Sequence, residues 1–252
     1  MFRTVLWLLT AGLGMLMFAS STSAAVTLTS VEDNYVFYQS GGTGAGLVQG
    51  NGGADGSLQG KGPAPTQGNA RTMYFKFDTS SATPADGNLA TLTLTASSTV
   101  TAEFSLALFA LNQDATGFDW SENAITWNNS PGLGITTDPY MLDPSATTSL
   151  GSFPTLLNNS SAGTSISFTF ENWQDYVQSD GTLTLIAVVV SQSSATPAVL
   201  IASSENGDAD YRPELFISVP EPGRVLLLLT AIGWGCFRRR RTTCWNSFSG
   251  VK

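Results

Sequence analysis

The sequence predicts an all-β fold: a jelly-roll-type β-sandwich of antiparallel sheets with one short helix. Three observations lead there. Between residues 26 and 219, short runs alternate apolar and polar residues at the period of two that a half-buried strand requires. The runs are rich in Thr, Val, Ile and Phe, and Gly, Asn, Asp, Ser and Pro clusters punctuate them. No internal repeat is visible, which argues against a propeller or solenoid and favours two packed sheets.

Taken in order, Val26 to Thr29 is a first strand, and Asp33-Asn34 turns the chain into a second at Tyr35 to Tyr38. Gly41 to Gly68 holds 11 Gly in 28 residues and reads as a long loop, because Gly weakens strands. Leu47-Val48 and Ser57-Leu58-Gln59 are its two short edge-strand alternatives. It is not a phosphate loop, since Lys61 is followed by Gly and no strand-loop-helix context surrounds it. Arg71 to Asp78 places Met73, Phe75 and Phe77 on one face. Leu89 to Ala96 alternates again. In Glu103 to Asn112 both faces are apolar, which suits a covered, central strand. Gly132 to Leu157 reads as a connection with at most one short strand, and Ser165 to Phe170 as a strand. In Glu171 to Ser179 the period changes, and Trp173, Tyr176 and Val177 form the stripe of a short helix. Thr182 to Ser191 is the most apolar strand and the natural centre of a sheet. Ala198 to Ser203 and Glu214 to Val219 complete the set, with Arg212-Pro213 fixing the entry to the last strand.

The ends have another character. Residues 1–25 carry Arg3, an apolar run and Thr22-Ser23-Ala24, the order of parts in a secretory signal peptide. Residues 220–241 carry Pro220, Glu221 and Pro222, an apolar stretch from Val225 to Phe237, and Arg238, Arg239, Arg240 and Arg241. That stretch is shorter than the roughly 20 residues of a simple membrane span, with positive charge on the flank expected to stay cytoplasmic. Residues 242–252 form a tail. The stretch from 26 to 219, about 190 residues, is long enough for one hydrophobic core.

Charge and composition exclude several chemistries. Residues 26–219 contain 18 acids against four bases (Lys61, Arg71, Lys76 and Arg212), a net charge of −14. Such a surface repels nucleic acid and anionic membranes. There is no His, so the usual zinc sites and the Ser-His-Asp triad are missing. The two Cys, 236 and 244, lie beyond the domain, so no disulfide framework supports it.

Four motifs resemble those of the DNRLRE domain family, also treated as carbohydrate-binding module family 96. They are Asp33-Asn34-Tyr35-Val36; the strand Arg71 to Asp78; Trp120-Ser121-Glu122 with Ile125-Thr126-Trp127-Asn128-Asn129 and Pro131; and Ala202-Ser203-Ser204-Glu205 followed by Arg212-Pro213-Glu214-Leu215. The resemblance spans roughly residues 30–219. It implies an extracellular, non-catalytic sandwich that binds polysaccharide. Ser204 stands where the family often has Arg, which lowers the positive charge available for an anionic glycan. The 220–241 segment resembles a PEP-CTERM sorting signal. That resemblance implies Sec export, transient membrane anchoring, processing by an exosortase, and a surface or biofilm-matrix location.

Candidate residues follow from chemistry. Trp120 and Tyr140 are aromatic platforms for a sugar ring, with Asp119 and Glu122 beside the first. The alternative for Trp120 is a plug closing the sandwich. Trp127 reads as core. Asp119, Glu122, Asp208 and Asp210 offer hard oxygen ligands that suit Ca²⁺, against the alternative of solvated acidic loops. Arg71 and Arg212 read as structural, each pairing with a carboxylate. No pair of acids stands out as a glycosidase pair, so an enzyme is the weaker alternative. A purely structural envelope protein is the stronger one.

Overall fold

The computed structural model describes residues 25–37, 48–49, 56–62, 70–82, 88–133, 142–194 and 197–218. The expected signal peptide of residues 1–25, apart from Ala25, the expected 220–241 sorting signal with its membrane helix, the 242–252 tail and Tyr140 lie outside the described residues. Among the described residues no helix is long and apolar enough to cross a membrane.

The described residues form eleven strands: β1 (Val26–Phe37), β2 (Val48–Gln49), β3 (Ser57–Gly60), β4 (Arg71–Asp78), β5 (Leu89–Thr95), β6 (Phe104–Leu111), β7 (Thr147–Ser152), β8 (Ser165–Glu171), β9 (Thr182–Gln192), β10 (Val199–Ala202) and β11 (Glu214–Ser218). Every pairing between these strands is antiparallel. The main path runs β7-β6-β9-β4-β1-β11-β5-β8, with β2 also on β1. It folds over at β1. The first residues of that strand, Val26 to Thr29, pair with β11, and those after a bulge between Ser30 and Glu32 pair with β4. Two layers result. Sheet I is β8-β5-β11 with the start of β1. Sheet II is the end of β1 with β4-β9-β6-β7. The chain alternates between layers, from β4 to β5, β5 to β6, and β8 to β9, so the sandwich is knitted from both ends of the sequence.

The core fills the gap between layers. Met73, Phe75 and Phe77 of β4, Leu183, Leu185 and Ala187 of β9, and Leu106 and Leu108 of β6 meet Leu92 and Leu94 of β5, Leu215 and Ile217 of β11, and Ile166 and Phe170 of β8. Each of the Leu, Ile, Phe and Met side chains contributes about 1.5–3 kcal/mol on burial. The small sheet of β3 and β10 adds Leu58, Val199 and Ile201 to this core, bridged to β4 through Lys61 and Arg71 and to β5's end through Ala96 and Ile201.

Three local expectations change. One bulged strand replaces the two expected around Asp33-Asn34, because those polar side chains find distant partners and need no turn. The Gly-rich segment does contain the two short strands β2 and β3. At Gly60 an added Cβ would sit 2.8 Å from the Met73 Cε, so the glycine permits close packing of β3. The stripe at Trp173 forms a 3-10 helix of four residues, Trp173–Tyr176, with Trp173 buried in the core. β6 and β9 lie inside sheet II, as their apolar faces foretell.

Candidate functional site

The segment 113–133 contains no strand of its own; Ile125-Thr126-Trp127 lies within a run of turns. Asn129 organises the run. Its Oδ1 accepts from the Thr126 Oγ1 at 2.9 Å, and its Nδ2 donates to the Ala124 carbonyl at 2.9 Å. This segment packs on the outer face of sheet II. Trp120, Ile125 and Trp127, with Leu142, cover Val36, Tyr74, Ile186 and Val188 in a second apolar cluster.

Polar side chains of the sheet hold it down. The Tyr74 hydroxyl donates to the Pro131 carbonyl at 3.0 Å. The Trp120 indole N–H donates to the Thr184 Oγ1 at 3.1 Å. The Asn34 Nδ2 donates to the Glu122 carbonyl at 2.6 Å. Lys76 donates to the Trp120 carbonyl and, at 2.6 Å, to Glu32. Its ammonium also lies 4.6 Å from the Trp120 ring centroid, and Tyr74 meets that ring edge-on at 5.8 Å.

Trp120 is therefore a structural residue. It is 6% exposed, and its faces and N–H are engaged by Lys76, Tyr74 and Thr184. This corrects its reading as a sugar platform: a ring buried this far offers no face to a pyranose. Trp127 is buried in the same cluster, as core. Asp119 is exposed. Asp208 caps the 3-10 turn Ala209–Tyr211 by accepting from the Asp210 N–H at 3.1 Å. Among the described residues no group of three or more His, Cys, Asp or Glu is placed to hold a metal ion. Among the described residues the two Arg side chains find neutral partners, where carboxylates were expected. Arg71 donates to the Gln59 Oε1 and lies 5.9 and 5.8 Å from the Tyr35 and Phe37 ring centroids. Arg212 donates its Nε–H to the Asn206 carbonyl at 3.1 Å.

The four separate motifs meet at one place. Asp33 leaves the bulge of β1 fully buried, and its Oδ2 accepts the Ser204 N–H at 2.8 Å. The Glu122 carboxylate accepts the Asp33 N–H. Ser204 in turn donates to Glu205 at 2.7 Å. Burial, and then the nearby charges of Glu205 and Glu122, push the Asp33 carboxyl up to about 7 against the Ser204 hydrogen bonds. Burial and the charge of Glu205 also raise Glu122. Asp33 was not singled out as a site residue by the sequence. Its signal was an acid in a strand register where alternation demands an inward side chain.

The opposite outer face, on sheet I, differs. Thr27, Phe216, Thr91 and Thr169 form one row across four strands; Thr29, Glu214, Thr93 and Ser167 form the next. Thr91 and Thr169 share a hydrogen bond at 2.8 Å, Thr93 and Ser167 one at 2.9 Å, and Thr95 and Ser165 one at 2.9 Å. Phe216 stands among these hydroxyls 40% exposed. The alternation Leu215, Phe216, Ile217 already turns this ring outward, but an exposed Phe in a terminal strand does not announce itself.

The molecule is thus an antiparallel β-sandwich module with one covered outer face and one open, hydroxyl-rich face that carries an exposed aromatic ring. The sequence model of carbohydrate-binding module family 96 matches residues 24–149, half of the 252-residue chain. The chain belongs to that family. No curated protein matches it.

Proposed function

We propose that this is a non-catalytic, exported bacterial surface or matrix protein whose sandwich binds polysaccharide on the outer face of sheet I. Family membership carries the reading: the matched region is a carbohydrate-binding module. The face is chosen by what a sugar needs. An aromatic ring packs against the apolar C–H side of a pyranose, and flanking hydroxyls exchange hydrogen bonds with its edges. Phe216 with Thr27, Thr91 and Thr169 supplies both. The net charge of −14 over residues 26–219 favours a neutral glycan over an anionic one.

The finer assignment to the DNRLRE type rests on the four motifs. Export through Sec rests on residues 1–25. Sorting rests on Pro220, Glu221 and Pro222 with the Arg cluster at 238–241, which would make an exosortase the processing partner.

A glycan array tests the binding reading. Neutral glucan- or mannan-type polymers should bind, and Phe216→Ala should weaken binding at least tenfold with the fold intact. Unchanged binding in Phe216→Ala would move the site off this face. Silence across neutral and acidic glycans would favour a structural envelope protein. For sorting, Pro220→Ala with Glu221→Ala should accumulate a larger, unprocessed form in the producing cell; normal processing would overturn the assignment.

A further inference from the structure

We propose that Asp33, Glu122 and Ser203 form a Ca²⁺ site that clamps the 113–133 segment and the β10–β11 connection onto the bulge of β1. The observation is a set of buried oxygens with nothing to bond. Asp33 and Ser203 are both 0% exposed, yet the Asp33 Oδ1 and the Ser203 Oγ have no partner, and neither does the buried Glu122 Oε2. A buried carboxylate oxygen without a donor is costly, and natural structures relieve it with a hydrogen bond, a proton or a cation. Three such atoms belong to three chain segments that already touch, through the Ser204 N–H on Asp33 and the Asp33 N–H on Glu122.

The charges that act on Asp33 and Glu122 are negative. Asp33 feels Glu205 and Glu122; Glu122 feels Glu205 and Glu32. Lys76, the nearby cation, is engaged by Glu32 and the Trp120 carbonyl. Two carboxylates balance one divalent ion. The donors are oxygen only; Glu122 and Ser203 come from irregular backbone and Asp33 from β1 just past its bulge. That suits Ca²⁺, which accepts 6–8 oxygens in flexible geometry, better than Mg²⁺, which demands a near-ideal octahedron. Main-chain carbonyls and water complete the shell, and Glu205 stands outside it as a further negative charge. Of the four acids the sequence offered for calcium, Glu122 alone belongs to this site.

The site is independent of the glycan face, so either can fail alone. The full chain is purified, stripped with chelator and titrated with CaCl₂ at pH 7.5 by calorimetry and thermal unfolding. One Ca²⁺ should bind per chain, raising Tm by about 5 °C or more at saturation. Asp33→Asn and Glu122→Gln should each weaken Ca²⁺ at least tenfold, and Ser203→Ala less. Hydrogen exchange on the unmodified chain serves if a variant does not fold: Ca²⁺ should slow exchange near residues 33, 122 and 203–205. No heat and no Tm change would overturn the site. So would Ca²⁺ binding untouched by both carboxylate variants, or protection confined to residues 207–211.

Discussion

The outer faces of the two sheets begin from the same strand geometry and end in opposite states. On sheet I, β5 and β8 keep alternating, with Leu92 and Phe170 inward and Thr91 and Thr169 outward, and the outer face is left to hydroxyls. On sheet II, β4 and β9 are buried residue after residue, so their outward side chains needed a cover. The 113–133 segment is that cover, and its two Trp residues are its anchors. A strand that abandons alternation therefore forecasts not only a central position but a second layer of chain lying on it. The face that keeps alternation is the one left open to solvent.

The contrast can be broken most severely at the sealed face. Trp120→Ala removes a large buried ring, takes the indole donor from the Thr184 hydroxyl and the ring face from beside the Lys76 ammonium, and should cost about 3–5 kcal/mol in urea unfolding. A loss below about 1 kcal/mol would mean the segment adds little to the sandwich. Asp33 supplies the next test. Its folded value near 7 lies above the ordinary 3.8, so the stability it confers is full below about pH 4 and is lost as pH rises through 7. Stability of the metal-free protein should therefore fall on going from pH 5 to pH 7, by up to about 1.4 kcal/mol per pH unit from this group. Asp33→Asn should flatten that slope; an unchanged slope would assign it to other carboxyls. Tyr74→Phe deletes only the hydroxyl that holds Pro131 and should cost about 1–2 kcal/mol, since a buried carbonyl loses its donor. On the open face the same methods should register almost nothing. Phe216→Ala and Thr91→Ala should each stay within about 0.5 kcal/mol of the parent. A larger loss at Phe216 would make it a packing residue and remove the aromatic from the proposed glycan face.

Much of this arrangement was legible from the residues. Period-two alternation located the long strands, and the two-sided apolar run of Glu103 to Asn112 and the strongly apolar run of Thr182 to Ser191 put β6 and β9 inside a sheet. What local reading missed were features decided by distant partners. Glu32, Asp33 and Asn34 look like a turn until Lys76, Ser204 and Glu122 are brought to them. Trp120 looks like a ligand platform because sequence shows its acidic neighbours and not the Tyr74 edge or the Lys76 ammonium that occupy it. Phe216 hides in a strand whose neighbours, Leu215 and Ile217, are the better core residues.

The fold at β1 also sets an order of events. Val26 lies beside Ile217 and Thr29 beside Glu214, so the first strand of the sandwich is completed by the last. Sheet I cannot close until residues 214–218 are free of whatever holds the growing or threading chain. Contacts between such distant stretches are slow to form, because a long loop must be closed before any of them stabilises the chain. Closure of sheet I therefore waits on residues 214–218: a truncation just before Glu214 should leave β1 and β5 with exposed edges and a chain that aggregates, not a slightly weaker sandwich.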